Sequence, residues 1–150
     1  MTIEQIMNKQ VANLAVLFTK IHHYHWYVNG PSFFAYHEKF EKLYDEVNVL
    51  YDDVAERMLS LNLKPATTLK NYLDMTSLSE ATEAEGTVEG MIKTLVKDLK
   101  HLVIEFRQVI ELADQNNDVA TTDLFTVAIR SFEKHIWMFS ALLADCGCSK

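Results

Sequence analysis

The sequence predicts an all-α protein, a bundle of four long helices with one long connection between the second and the third. Two observations carry this prediction: apolar residues recur at helical spacing along most of the chain, and only 4 glycines and 2 prolines occur among its 150 residues. A small all-β protein needs many tight turns, which glycine and proline usually supply. The length suits one domain with its own core, so we expect a single domain over residues 1–150.

The first two helices are predicted from apolar residues that recur every seven positions. The first helix ends near Gly30–Pro31, and Ser32 stands where it can cap the second. The second continues to about Leu61, before Asn62 and Pro65. The repeating series are Met7, Leu14, Ile21 and Val28; Val11, Phe18 and His25; and Phe33, Phe40, Val47, Val54 and Leu61.

A long connection from Lys64 to Gly86 follows, in which we expect a short helix at Thr68–Asp74 and an acidic loop at Ser79–Gly86. The third helix starts near Thr87 and the fourth follows a turn at Asp114–Asp118. Four helices with one crossover between the second and third form the topology of ferritin-like folds. The predicted buried faces contain Met91, Leu95, Leu99, Leu102, Phe106, Val109 and Ile110, and Leu124, Ala128, Phe132, Ile136, Phe139 and Leu143.

The composition favours cations as partners over nucleic acids and membranes. The chain has 21 acidic and 14 basic residues and a formal charge of -7, and an acidic surface attracts cations and repels nucleic-acid phosphate. No apolar stretch approaches the roughly 18 residues of a membrane span, and the N-terminus does not resemble a signal peptide. Cys146 and Cys148 are too few for a disulfide framework. We therefore expect a cytoplasmic protein with no membrane contact.

The second helix has a polar arc besides its apolar series. At about 100° of rotation per residue, His37, Glu41, Asp52 and Glu56 share an arc of roughly 100°. The apolar series is centred about 130° away from His37 by the same construction. The polar arc is therefore expected to face solvent or another subunit.

This arc contains two i,i+4 pairs, His37/Glu41 and Asp52/Glu56, each spaced to bind a metal ion. One chain cannot bring both pairs to a single ion, because Glu41 and Asp52 are about 16 Å apart along the helix axis at 1.5 Å per residue. Two interpretations stay open. The pairs are independent surface features, or an antiparallel copy across a two-fold axis brings the pairs of two chains together and creates two such sites.

His25 favours the second interpretation. It belongs to the series of Val11 and Phe18, so we expect it to be at least partly buried, and a helix hairpin can bring it beside His37. Two imidazoles and three carboxylates suit iron or manganese, and open positions would admit an oxidant. The other interpretation needs no metal. A single histidine on an apolar helix face is usually a core residue, and acidic side chains on a helix are usually solvated.

The sequence does not favour a di-iron site built from Glu-x-x-His motifs inside a single four-helix bundle. Asp98 and His101 only approximate such a motif, and Glu133 and His135 lack its spacing. We expect His101 and His135 to have structural roles.

Two short motifs and the end of the last predicted helix are more specific. They are His25–Gly30 with His37 and Glu41, Tyr51–Arg57 with Leu61–Asn62 and Pro65, and Lys134–Phe139. Together they resemble the Dps family, the mini-ferritins named as DNA-binding proteins from starved cells. The resemblance covers the whole chain.

The resemblance implies a ferroxidase centre between two-fold-related subunits. One chain would supply His25, His37 and Glu41 as metal ligands and catalytic residues, and its partner would supply Asp52 and Glu56. Members of the family form hollow dodecamers of 23 symmetry. They oxidise Fe(II), preferably with hydrogen peroxide but also with O2, and store the Fe(III) mineral, which protects the cell from oxidative damage.

The resemblance also implies roles for residues outside this set. Trp26 would lie beside the centre and intercept oxidising equivalents, although an aromatic interface contact is an equally good interpretation. Acidic residues near the start of the fourth helix line iron-entry pores in the family, for which Asp123 and then Asp118 are the candidates. Glu41 replaces the aspartate of many members, and the family explains neither Cys146 nor Cys148.

DNA binding is not expected. Family members that bind DNA commonly use a basic tail, whereas Met1–Gln10 contains one basic residue, Lys9, and the last ten residues contain only Lys150. Phosphate binding needs positive contacts, which these termini barely provide. Two alternatives remain: a protein that condenses nucleoid DNA with a minor role in iron chemistry, and a cage adapted to receptor or adhesion contacts.

Overall fold

Five helices make up the part of the chain that the computed structural model describes, residues 1–145. They are α1 (Ile3–Tyr27), α2 (Phe33–Ser60), α3 (Leu69–Met75), α4 (Val88–Gln115) and α5 (Val119–Asp145), with a 3-10 turn at Glu83–Glu85. Residues 1–145 contain no strand, so the all-α prediction is confirmed. Cys146 and Cys148 lie outside the described residues.

Local signals set the first two helix boundaries. Thr2 and Gln5 form a capping box at the start of α1, in which each side chain accepts a hydrogen bond from the other residue's backbone N–H. After α1 the chain reverses through Gly30, whose φ of +103° suits glycine. Ser32 precedes α2 as predicted, but its side chain makes no capping hydrogen bond. The predicted position of the N-cap is therefore confirmed, although the Ser32 hydroxyl does not bond the backbone of the first helical turn.

The four long helices form two hairpins, α1 with α2 and α4 with α5, and α1 also packs against α4. The predicted apolar series of α1 and α2 lies between them, and its central members are fully buried. In α4 and α5 the predicted Phe106 and Phe132 are buried and pack ring to ring. Phe125, which was not predicted, is also buried against Phe106, whereas the predicted Leu124 is only partly buried. This is the predicted four-helix bundle with a short helix in the crossover. The buried side chains of these helices include Met7, Leu14, Ile21, Phe40, Val47, Val54, Phe106, Phe125 and Phe132.

The crossover is more ordered than the predicted loop. Its short helix, α3, packs against α1, and its acidic part forms the 3-10 turn capped by Thr82 and Glu85. Buried side chains of α1 bind its backbone: Asn13 Oδ1 accepts from the Ser77 N–H at 2.8 Å, and Lys20 Nζ donates to the Ser79 carbonyl at 2.8 Å. These bonds hold the crossover against α1.

None of the helices among the described residues combines the length and the apolar character that crossing a bilayer requires.

Candidate metal centre

The hairpin between α1 and α2 brings two histidines together at one end of the bundle. His25 lies in the last turn of α1 and His37 in the second turn of α2. Their imidazole rings are stacked, with centroids 3.6 Å apart and planes 15° apart. His25 is buried, with 7% of its surface exposed, as its place in the apolar series predicts.

Two reciprocal hydrogen bonds hold these rings in place. His25 Nδ1 donates to the His37 carbonyl oxygen at 2.7 Å, and His37 Nδ1 donates to the His25 carbonyl oxygen at 2.8 Å. Because a carbonyl oxygen only accepts, both Nδ1 atoms must bear hydrogen. In the neutral rings each Nε2 therefore keeps its lone pair, the form in which imidazole binds a metal ion.

Glu41 completes a group of three ligands. It lies one helical turn after His37 and is exposed, and one ligand atom from each of His25, His37 and Glu41 lies within 4.8 Å of the other two. Two imidazole nitrogens and one carboxylate oxygen can hold a divalent transition metal and leave further coordination positions free. Three of the five predicted ligands thus converge within one chain.

Asp52 and Glu56 do not join this group. Both are exposed side chains farther along α2. Within residues 1–145 the group of side chains close enough to share a metal ion contains His25, His37 and Glu41 and neither of these carboxylates. The rise of a straight helix predicts this separation for a single chain. The role of Asp52 and Glu56 in a shared site stays a prediction.

Aromatic side chains surround the histidine pair. Phe33 stacks on His37 at 4.9 Å between centroids, and Tyr44 packs edge-on against His25 at 5.3 Å. Burial first, and then the negative charges of Glu41 and Asp45, raise the pKa of the Tyr44 phenol. Neither Phe33 nor Tyr44 was predicted to lie beside the site, although Tyr44 follows His37 by two helical turns and so shares its face.

His22 and Trp26 extend this aromatic group. The His22 ring stacks on Tyr44 at 3.8 Å, and the Trp26 ring meets His22 edge-on at 5.3 Å. Trp26 is 68% exposed. His22 was also missed, and its position three residues before His25 is the signal that could have indicated it.

His135 has protein partners outside this centre. It is buried between α2 and α5, where its Nε2 lies 2.7 Å from Glu46 Oε2 and its Nδ1 lies 3.4 Å from Lys39 Nζ. Ser131 donates to the same carboxylate, and these contacts, with the His135 bond the largest cause, lower the pKa of Glu46. These contacts are those of a structural histidine.

Asp98 and His101 do not form a metal-binding pair. Asp98 Oδ2 accepts from the buried Lys20 Nζ at 2.7 Å. His101 Nε2 lies 2.9 Å from Ser77 Oγ and 3.2 Å from Glu105. The two side chains therefore have different partners, as expected if the approximate motif is coincidental.

The two candidate pore residues differ in their surroundings. Asp118 accepts from Arg57 at 2.6 Å and from the Thr121 N–H at the start of α5, whereas Asp123 is exposed. Burial of Asp118 disfavours its charge, but the Thr121 hydrogen bonds and the Arg57 charge outweigh burial and lower its pKa. Contacts within the chain account for Asp118, and a pore role for either residue stays a prediction.

Comparison with known proteins agrees with this architecture. Residues 4–148 match the family described as Ferritin-like domain. The chain is 45% identical over 139 residues to "DNA protection during starvation protein 2" of Bacillus anthracis, covering 93% of this chain and 94% of that protein.

Solved structures show the same relationship. A Dps protein from Bacillus brevis superposes with a TM-score of 0.91 at 42% identity, covering 94% of each chain. Dps from Listeria monocytogenes superposes with a TM-score of 0.92 at 41% identity, covering 96% of this chain and 94% of that one. The chain therefore belongs to the Dps family of ferritin-like proteins.

Proposed function

We propose that this protein is a cytoplasmic ferroxidase and iron store. Its substrates are Fe(II) and hydrogen peroxide, or O2 in place of peroxide, and its product is an Fe(III) mineral held inside an oligomeric cage. The observation that carries the proposal is the group of His25, His37 and Glu41, whose ligand atoms converge within 4.8 Å. Membership of the Dps family supports iron as the metal.

The side chains of this group have distinct tasks. The backbone carbonyls hold both imidazoles with Nε2 available, so Fe(II) binds without a large rearrangement of the rings. The Glu41 carboxylate adds a negative charge, which stabilises Fe(III) more than Fe(II) because the attraction grows with the charge of the ion. Two Fe(II) ions then reduce one peroxide to two molecules of water, with two protons consumed.

A second copy of the chain completes the site in this proposal. Asp52 and Glu56 are exposed on α2, on the arc that contains His37 and Glu41. Leu59 lies on the same arc and is 60% exposed, which suits a subunit contact. An antiparallel pairing of two α2 helices across a two-fold axis gives two sites per dimer, and six such dimers form the dodecamer of 23 symmetry.

The negative charge of the chain suits this function. A formal charge of -7 per chain raises the local concentration of cations around the assembled protein. Iron is therefore attracted to the protein before it reaches the histidine pair.

Fe(II) oxidation by the assembled protein tests the proposal. The variant His25→Gly/His37→Gly should oxidise Fe(II) with peroxide no faster than buffer, and the control His23→Gln should keep the wild-type rate. The His23 ring packs on Tyr27, outside the three-ligand group. Light scattering checks that each variant assembles like the wild type. Wild-type oxidation rates in the double variant would contradict the proposal.

Mixing two inactive variants tests the shared site. One partner lacks His25 and His37, and the other carries Asp52→Ala with Glu56→Ala. In a mixed dimer one of the two shared sites contains all five native ligands, so random co-assembly should restore about one quarter of the wild-type sites. Sites built within single chains would give no recovery, and that result would contradict the shared site.

A further inference from the structure

An open cavity of about 270 Å³ lies between α2 and α5, and none of the three candidate metal ligands lines it. Its walls are mainly apolar side chains from both helices. Two of these are well exposed, Val49 by 59% and Val127 by 46%. Exposed apolar side chains around a concave surface can bind the apolar part of a ligand. The apolar lining consists of Val49, Leu50, Leu124, Val127, Ala128 and Phe132.

Two carboxylates line the α2 side of the same cavity. Glu46 and Asp53 are seven residues apart on one face of the helix, which separates them by about 10.5 Å along the axis at 1.5 Å per residue. Val49 and Leu50 lie between them in the sequence and also line the cavity. The cavity therefore combines two separated negative charges with an apolar surface between them.

Both carboxylates are available to a cation. Among residues 1–145, neither Glu46 nor Asp53 forms a salt bridge with a lysine or an arginine. Hydrogen bonds from His135, the largest cause, and from Ser131 outweigh burial and lower the pKa of Glu46. The His135 ring is neutral in this arrangement, because its Nδ1 accepts from the ammonium of Lys39 at 3.4 Å. Glu46 therefore keeps its negative charge, and Asp53 is exposed.

We propose that this cavity binds a linear aliphatic diamine, a chain of methylene groups with an ammonium group at each end. One ammonium pairs with Glu46 and the other with Asp53, and the methylene groups pack on the apolar walls. An extended chain advances about 1.2 Å per bond, since the three backbone bonds of a residue span about 3.6 Å. About eight or nine bonds therefore match the spacing of the carboxylates, which corresponds to about seven or eight methylene groups. This site is independent of the proposed iron chemistry.

Other occupants match the cavity less well. A metal ion gains nothing from apolar walls, and Glu46 and Asp53 are too far apart to share one ion, because metal–oxygen bonds are about 2 Å long. A second copy of the chain carries a formal charge of -7 and would bring further negative charge to the carboxylates. A diamine matches both the charges and the apolar surface between them.

Isothermal titration calorimetry of the assembled, metal-free protein with 1,8-diaminooctane tests this inference. We expect saturable binding, with one diamine for each chain. 1-Aminooctane has the same chain and a single ammonium, so it should bind about two- to fivefold more weakly, the loss expected for one surface ion pair. 1,3-Diaminopropane has both charges but cannot reach both carboxylates, and it should bind more weakly still because it also loses the apolar contact.

A pair of variants locates the site. Asp53→Asn should weaken the binding of 1,8-diaminooctane about two- to fivefold, because it removes one ion pair. The matched control Glu111→Gln removes the same charge from an exposed position on α4, outside the cavity, and should bind like the wild type. Light scattering checks that both variants assemble.

The outcomes decide between a built site and attraction to an acidic protein. Tighter binding of 1,8-diaminooctane than of both shorter or singly charged amines, together with its weakening in Asp53→Asn alone, supports the inference. Absence of saturable binding to the wild type overturns it, as does equal binding of 1-aminooctane. Equal effects of Asp53→Asn and Glu111→Gln also overturn it, because they show attraction to the overall charge. Should Asp53→Asn fail to assemble, the comparison of the three amines on the wild type still decides. None of these results bears on the ferroxidase function, which the oxidation assay tests separately.

Discussion

α1 contributes to two polar clusters that contain similar residue types and differ in their partners. Near its middle, Lys20 binds Asp98, while Lys9, Gln10 and Asn13 bind the carboxylate of Glu105 on α4. At its C-terminal end, His25 faces His37 and Glu41, and among the described residues no salt bridge involves Glu41.

The difference shows which contacts distinguish a cluster of neutralised charges from a candidate metal site. In the α1–α4 cluster, Lys20 and Lys9 neutralise the buried carboxylates of Asp98 and Glu105. The amide N–H groups of Gln10 and Asn13 also donate hydrogen bonds to the Glu105 carboxylate. At the hairpin, backbone carbonyls accept hydrogen bonds from both Nδ1 atoms, and the two imidazoles and the Glu41 carboxylate each bring a ligand atom into one group. Acidic and histidine residues are therefore candidate metal ligands where their ligand atoms converge without a basic partner.

The largest expected effect is on the paired cluster. Lys20→Met leaves the Asp98 carboxylate buried without its cation, which should lower the free energy of unfolding by about 3–5 kcal/mol. Thermal or denaturant unfolding measures this loss. The control Lys20→Met/Asp98→Leu removes both charges and should recover much of it. A single variant as stable as the wild type would show that the pair does not hold the cluster together.

Breaking the Arg57–Asp118 pair, which joins α2 to the start of α5, should lower the free energy of unfolding by a smaller amount that depends on pH. Asp118→Asn should cost about 2 kcal/mol at neutral pH, because it removes a charge-assisted hydrogen bond. The pKa of Asp118 is lowered in the folded chain, so its contribution is present above the unfolded value of about 3.9. That contribution should disappear as the pH falls through the folded pKa.

Urea unfolding of the wild type and Asp118→Asn, from neutral to acidic pH, checks this prediction. The two curves should converge at low pH. A difference that stays constant with pH would mean that Asp118 stabilises the chain without its charge.

Glu41→Gln should have little effect on the metal-free protein. The side chain is exposed and lacks a basic partner among the described residues, so we expect a change of less than about 0.5 kcal/mol. Added Mn(II) or Co(II) should stabilise the wild type more than this variant, because binding to the folded state adds stability by mass action. Calorimetry with and without metal measures both quantities, and equal stabilisation of the two proteins would remove Glu41 from the ligand set.

The smallest effect is expected when the protein is mixed with DNA. A protein of formal charge -7, with one basic residue in its first ten, should cause no shift of duplex DNA on a gel at low salt and neutral pH. A shift that weakens steeply with added salt would instead favour DNA condensation as the main role.

The helices were largely predictable because their periodicity reports burial. Members of the seven-residue series, such as Leu14 and Val47, are fully buried, and α3 differs from its predicted bounds by one residue at each end. The packing of the crossover was not predictable, since it depends on Asn13 and Lys20, which lie more than fifty residues away in sequence from their partners.

The site was predictable in part for the same reason. The order and spacing of His25, His37 and Glu41 indicate that a hairpin can bring them together, and the structure shows that it does. The crossed hydrogen bonds of the two imidazoles and the stack of Tyr44 on His22 depend on the angle and offset between α1 and α2, which no sequence spacing specifies.

The sequence by itself determined the four long helices, the exposed arc of α2 and the inability of one chain to bring all five predicted ligands to one ion, because these depend only on the rise and rotation of a helix. Only the tertiary structure decided which ring nitrogen of His25 and of His37 is left free to bind a metal ion, and which carboxylates are neutralised by lysines. Those properties depend on contacts between side chains and backbone groups from different helices, at distances of about 3 Å, where small shifts in packing change the partner.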